Sequence, residues 1–152
     1  MLRPQLNDAL KTAMRAKDTR TLSTVRLILA ALKDRDIAAR PKGNADGIGD
    51  DEILSMLQSM IKQRRESISL YEQGGRLELA QQEAEEITVI ERFLPRQMSE
   101  AEATEAVKAL IAETGAGGIK DMGKVMAALK ERFAGQMDFT KASALVKAQL
   151  GG

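Results

Sequence analysis

Gly118-Ile119-Lys120-Asp121-Met122-Gly123-Lys124 spells G-x-x-x-x-G-K, the skeleton of a loop whose backbone amides cradle nucleotide phosphates. That chemistry needs a strand before the loop and a Ser or Thr after the lysine to hold magnesium. Here Val125 follows the lysine, and the preceding stretch is helical in pattern. The glycines read better as a turn, with Asp121 capping the next helix. A milder capacity remains, because open amides at that helix start, beside Lys120 and Lys124, can receive a phosphate.

A second cluster is Lys62-Gln63-Arg64-Arg65. Arg64 and Arg65 fall three and four residues after Ile61, on or beside an apolar stripe. A guanidinium rarely faces a core unless it is paired. Two readings follow: an ion pair with Glu83 or Glu86 of a neighbouring helix, or a basic ridge that Arg76 extends. Glu83, Glu85, Glu86 and Glu91 also cluster, at spacings typical of a solvated helix face rather than of an acid–base pair.

No histidine and no cysteine is present, which removes the commonest general base, thiolate chemistry and disulfides. No serine sits in a strand-turn-helix elbow. Nothing in the pattern assembles nucleophile, base and oxyanion hole, so no catalytic residue, metal or cofactor is expected, and an enzyme acting by itself is not. No apolar run reaches the ~20 residues that span a bilayer, and the first residues lack a signal-peptide pattern. A cytoplasmic protein without a membrane partner is the expectation.

The elements that must carry these residues are helices. Aromatics make up only 3% of the 152 residues, while Leu, Ile, Ala and Met supply the apolar side chains, a palette that favours helix. Leu2, Leu6, Leu10 and Ala13/Met14 recur at helical spacing, as do Leu22, Val25, Ile28/Leu29 and Leu32. The glycine-rich stretch 40–49 reads as a mobile surface loop. Asp50 or Asp51 is expected to cap a long third helix bearing Leu54, Leu57, Ile61, Ile68 and Tyr71. Gly74-Gly75 turns it into a fourth, which Pro95 stops. Ser99 and Glu102 form a capping box for a fifth, and two further helices follow Asp121 and Asp138. The fold class is therefore all-α: a bundle of about four helices over residues 1–94, then a smaller three-helix domain over 95–152.

Charge is uneven along this chain. Residues 1–42 hold ten Lys or Arg against four Asp or Glu, a net of +6. Residues 43–94 carry −6, and the stretch from Lys120 onward +3. Such faces attract phosphate even when the whole is near neutral, and acidic helices inside the fold can equally oppose them.

The runs Met60 to Ile68, Tyr71 to Arg76, Leu94-Pro95-Arg96-Gln97-Met98-Ser99-Glu100 and Asp121 to Met126 resemble the YqeY-like, or GatB/YqeY, family over nearly the whole chain. The resemblance implies a small, bacterial, all-helical protein. It also implies that Gly117 to Leu150 is similar to the tail of the B subunit of the glutamine-dependent tRNA amidotransferase, a tRNA-binding part. The family label of carbon–nitrogen ligase with glutamine as amido donor comes from that similarity. The amidotransferase's own reactive centres have no counterpart here.

A module that binds tRNA or another structured RNA is the leading expectation. Lys120, Lys124, Lys130, Arg132 and Lys141 would neutralise phosphates, joined by Lys62, Arg64, Arg65 and Arg76. Scarce aromatics argue for folded RNA over single strands, and no DNA partner is expected. The alternative is a helical adaptor for an amidotransferase or aminoacyl-tRNA synthetase, using an apolar groove between the domains and adaptable methionines such as Met122, Met126 and Met137.

Overall fold

The computed structural model describes residues 1–151, in two compact units, Met1–Pro95 and Arg96–Gly152. The fold is all-α, and no strand occurs among the described residues. The first unit holds α1 (Leu2–Ala16), α2 (Thr19–Ala39), α3 (Asp50–Gln73) and α4 (Leu77–Glu91). The second holds α5 (Glu100–Thr114), α6 (Met122–Phe133) and α7 (Phe139–Gly151). Single 3-10 turns occupy Arg40–Lys42 and Ile119–Asp121.

Each unit closes a core of its own. In the first, Leu2 and Leu6 of α1, Ile28 and Leu32 of α2, Ile53, Met56, Leu57 and Ile61 of α3, and Ile87 and Ile90 of α4 form one cluster. In the second, Val107 and Leu110 meet Val125, Leu129, Met137, Ala142 and Val146. Met137 is buried there, and Met122 and Met126 pack half-buried against the same cluster. These methionines serve the core of the small unit rather than an open surface.

Local chemistry sets the helix ends. Asp18 caps α2 by accepting from the Thr21 amide at 3.1 Å and the Thr21 hydroxyl at 2.7 Å. Those bonds hold its carboxyl below the usual carboxylate range. Ser99 and Glu102 make the reciprocal capping box at the start of α5. Arg96 grips Glu102 with two further bonds, at 2.9 and 3.1 Å, and its guanidinium and the Ser99 backbone draw the Glu102 carboxyl down to about 2. Gly75 turns at a φ of 72°, in the left-handed region, and lets α3 fold back into α4.

Two expected caps are not made. Gly49 occupies the cap position of α3, which puts Asp50, Asp51 and Glu52 in its first turn, where they meet the positive end of the helix dipole. Asp121 precedes α6 without capping it by side chain. Its carboxylate reaches back to accept from the Gly117 amide at 2.9 Å.

The stretch 40–49, expected to be a mobile surface loop, opens with a 3-10 turn and is tied down at Ile48. Its far end is locked. The Ile48 amide donates to Asp36 at 2.9 Å, and the Ile48 carbonyl accepts from Arg3 at 2.8 Å. Arg3 and Asp36 close the triangle with paired bonds of 2.7 and 2.8 Å. The Ile48 side chain joins the core, and Gly47 passes so close that a Cβ there would lie 2.6 Å from both Arg3 Nη2 and Asp36 Oδ1. Gly47 also has a φ of 92°, so a side chain is excluded twice over. The bond from Arg3, more than the Ile48 amide, holds the Asp36 carboxyl down to about 2.

Asp36→Ala should destabilise the protein by roughly 2 kcal/mol at neutral pH, as loss of charge-assisted bonds does. Because the folded carboxyl titrates below its ordinary 3.8, the contribution is complete above that value. It fades as pH falls toward about 2. Urea titrations of wild type and Asp36→Asn should therefore differ at pH ~7 and converge in strong acid. Gly47→Ala should be comparably damaging, and the double variant Gly47→Ala/Asp36→Ala should cost less than the sum.

Candidate RNA-binding surface

The nine cations picked out by sequence divide between the two units. In the first unit, α3 turns Arg64 toward α4. Its Nε lies 2.9 Å from Glu86 and 3.9 Å from Glu83, and its Nη1 donates to the Met60 carbonyl at 3.2 Å. Glu86 is only 7% exposed and is also approached by Arg20 of α2 at 3.9 Å. Burial, aided by the charge of Glu86, pushes the Glu83 carboxyl up. Arg64 is thus the paired arginine that its place beside the stripe suggested. Arg65 reaches Glu91 at 3.6 Å, and Arg76 pairs with Glu78 at 3.2 Å. Lys62 is exposed and has no carboxylate partner among the described residues.

In the second unit the charges sort by element only in part, since Asp121, Glu131 and Asp138 accompany the basic residues that follow α5. The acids Glu100, Glu102, Glu105 and Glu113 lie on α5, against a single lysine, Lys108. The 3-10 turn, α6 and α7 carry Lys120, Lys124, Lys130, Arg132, Lys141 and Lys147. Two of these are engaged. Arg132 forms a fork with Glu113 at 2.8 and 2.5 Å, which lowers the Glu113 carboxyl and raises the guanidinium. The Lys124 ammonium donates to the Thr114 carbonyl at the end of α5, at 3.0 Å. Lys120, Lys130, Lys141 and Lys147 are exposed, without a carboxylate partner among the described residues.

Helix geometry places these four at two ends. The short turn between α6 and α7 puts Lys130 and Lys141 at one end of the hairpin. The Ile119 side chain lies 3.0 Å from where a Cβ on Gly151 would be, which brings the end of α7, just past Lys147, to the turn holding Lys120. At 1.5 Å per residue the two ends stand roughly 15 Å apart. Lys147 was not among the residues singled out by motif, although the basic excess after Lys120 includes it.

The G-x-x-x-x-G-K stretch is no phosphate cradle in this fold. No strand precedes it, and Gly118 is extended. The Gly117 amide is taken by Asp121, and Lys124 is turned onto Thr114. Among the described residues, no group of Asp and Glu is placed to hold a metal ion. No described helix is long and apolar enough to cross a membrane.

The fold belongs to a known class of helical protein. The family described as YqeY-like protein matches residues 3–150, so the chain is a member of it. Several curated relatives are called altered inheritance of mitochondria protein 41, mitochondrial. That of Eremothecium gossypii is 37% identical over 59% of this chain and 46% of its own length. That of Meyerozyma guilliermondii is 39% identical over 56% and 42%, and that of Pyrenophora tritici-repentis 29% over 85% and 71%. The chain spans about half the length of most of these curated relatives.

These relatives correct two expectations. A bacterial and cytoplasmic protein was expected, whereas the named relatives are fungal and carry a mitochondrial designation. The physical reason is that compartment is addressed by targeting segments separate from the folded unit, so a domain's composition is blind to it.

Arg64→Met should leave buried Glu86 with only the more distant Arg20 and cost about 3 kcal/mol of stability, the lower end for breaking a buried pair. The compensated variant Arg64→Met/Glu86→Leu should recover most of that loss in a thermal or urea titration.

Proposed function

We propose that this protein is a non-catalytic module that binds tRNA or another structured RNA through the 3-10 turn, α6 and α7. The observation carrying this reading is the set of Lys120, Lys130, Lys141 and Lys147, exposed and without carboxylate partners among the described residues, while four of the unit's seven acids lie on α5. Lysine ammoniums at two ends of a rigid hairpin can span phosphates of a folded RNA without reading bases. The similarity of Gly117 to Leu150 to the tRNA-binding tail of the amidotransferase B subunit supports the same partner. The mitochondrial names of the relatives make organellar tRNA a natural ligand to try beside total tRNA. Lys124 joins the contact by leaving the Thr114 carbonyl, whereas Arg132 stays with Glu113.

Anisotropy with labelled tRNA across a salt series tests this. Log affinity should fall linearly with log salt, with a slope of roughly one per phosphate neutralised. Lys120→Glu/Lys130→Glu/Lys141→Glu should weaken binding at least tenfold and flatten that slope by about three. No binding at about 50 mM salt, or binding indifferent to the triple reversal, would remove RNA as the ligand of this surface.

A further inference from the structure

The largest basic excess in the chain lies in the first 42 residues and is not used by the surface described above. Arg26 and Lys33 of α2, and Arg40 at its C-terminal cap, are exposed and make no ion pair among the described residues. They stand seven residues apart, so they form one line along the helix with about 10.5 Å between successive members. Beside that line, Leu29 is half-buried and Ile37 is 46% exposed. Across from it, α1 continues the face of Arg3 with Asn7, Leu10 and Met14, and Met14 is 54% exposed.

Between the start of α1 and the second half of α2, Arg3, Asn7, Leu29, Lys33, Ile37 and Arg40 help line an open groove of about 280 Å³, with Arg26 and Met14 beyond it on the same faces. Leu29, Leu32 and Ile37 give it an aliphatic wall, and Lys33 and Arg40 stand at its rim. The Arg3–Asp36 pair inside it is internally neutralised. Arg40 also acts on Asp36, so Lys33 is the rim cation least offset by the groove's own carboxylate.

We propose that this groove is a docking site for an acidic amphipathic helix of a partner protein. A helix lying along α2 with a carboxylate every seventh residue repeats the 10.5 Å spacing of Arg26, Lys33 and Arg40, about one salt contact per two turns. Its apolar seam then covers Leu29, Ile37 and Met14, which is the helix-in-groove mode of recognition. A phosphate backbone satisfies the cations but offers nothing aliphatic to Ile37 and Met14. The residues involved lie in the first unit, so the proposal does not depend on RNA binding by the second.

The probe is a fluorescein-labelled designed helix of 21 residues, with a leucine seam and glutamate at every seventh position. Controls are its scrambled sequence and the same helix with lysine in place of glutamate. With the full chain, the acidic helix should bind at micromolar concentration and both controls should not. Lys33→Glu/Arg40→Glu and, separately, Ile37→Asp should each weaken it at least tenfold. All three side chains are exposed, and circular dichroism melts check that the variants stay folded. In the wild-type protein the backbone amides that shift on titration should be those of residues 7–14 and 26–40. The proposal is overturned by any of three results. These are no binding up to about 1 mM peptide, shifts centred elsewhere, or labelled tRNA shifting the same amides with an affinity that Ile37→Asp leaves unchanged.

Discussion

A carboxylate with almost no access to water must be compensated on the spot, and Glu86 is that carboxylate. It stands in α4, and it is met by Arg64 from α3 and approached by Arg20 from α2. Three helices are thereby held in register at one point. A slip of α3 by a single residue would swing Arg64 by about 100° and strand a buried charge. The aliphatic core around Ile53, Leu57, Ile61, Ile87 and Ile90 supplies cohesion, but Leu, Ile and Met tolerate exchange with one another. The pairing of Glu86 is the less forgiving contact, and the order in the first unit leans on it. Arg20 adds a 3.0 Å bond to Glu85 on the same helix, which extends the compensation to the surface.

The remaining charges follow a different rule. Exposed pairs such as Arg76–Glu78 and Arg132–Glu113 contribute little to stability, since water screens them and ordering long side chains costs entropy. Their effect is to decide which cations stay available. On α6, Arg132 is held by Glu113 and Lys124 by a carbonyl, whereas Lys130 faces water. On α2, Asp36 occupies Arg3 and leaves Lys33 and Arg40 open. The near-zero net charge hides two separately basic surfaces, one in each unit.

What could be read from the sequence was local. Seven helices followed from apolar spacing, and the capping box from Ser99 and Glu102, because each signal lies within a few residues. The pairing of Arg64 followed from its place beside Ile61, since a bundle leaves a guanidinium there few options. The anchoring of residues 40–49 was not legible, because its partners Arg3 and Asp36 lie 45 and 12 residues from Ile48. Glycine content alone then suggests mobility, whereas Gly47 is there to let the chain pass close to a salt bridge. Asp121 shows the same limit at short range. Its carboxylate accepts from the Gly117 amide behind it and not from the first turn of α6, a choice that composition does not reveal. The site cations were legible as types, but their availability depends on which acid sits across the gap, as Glu113 does for Arg132.

The junction after Pro95 has a consequence for inheritance. Arg96 grips Glu102, Gln97 donates to the Gly135 carbonyl at 2.5 Å, and the Met98 amide donates to Gln136 at 2.8 Å. The first residues of the second unit are thus fastened to that unit's own helix start and its own turn. A segment that carries its start signal, its tether and its hydrophobic centre in one uninterrupted stretch can be moved by recombination as a cassette. Joined to a different upstream sequence, it would bring along every bond that sets its beginning.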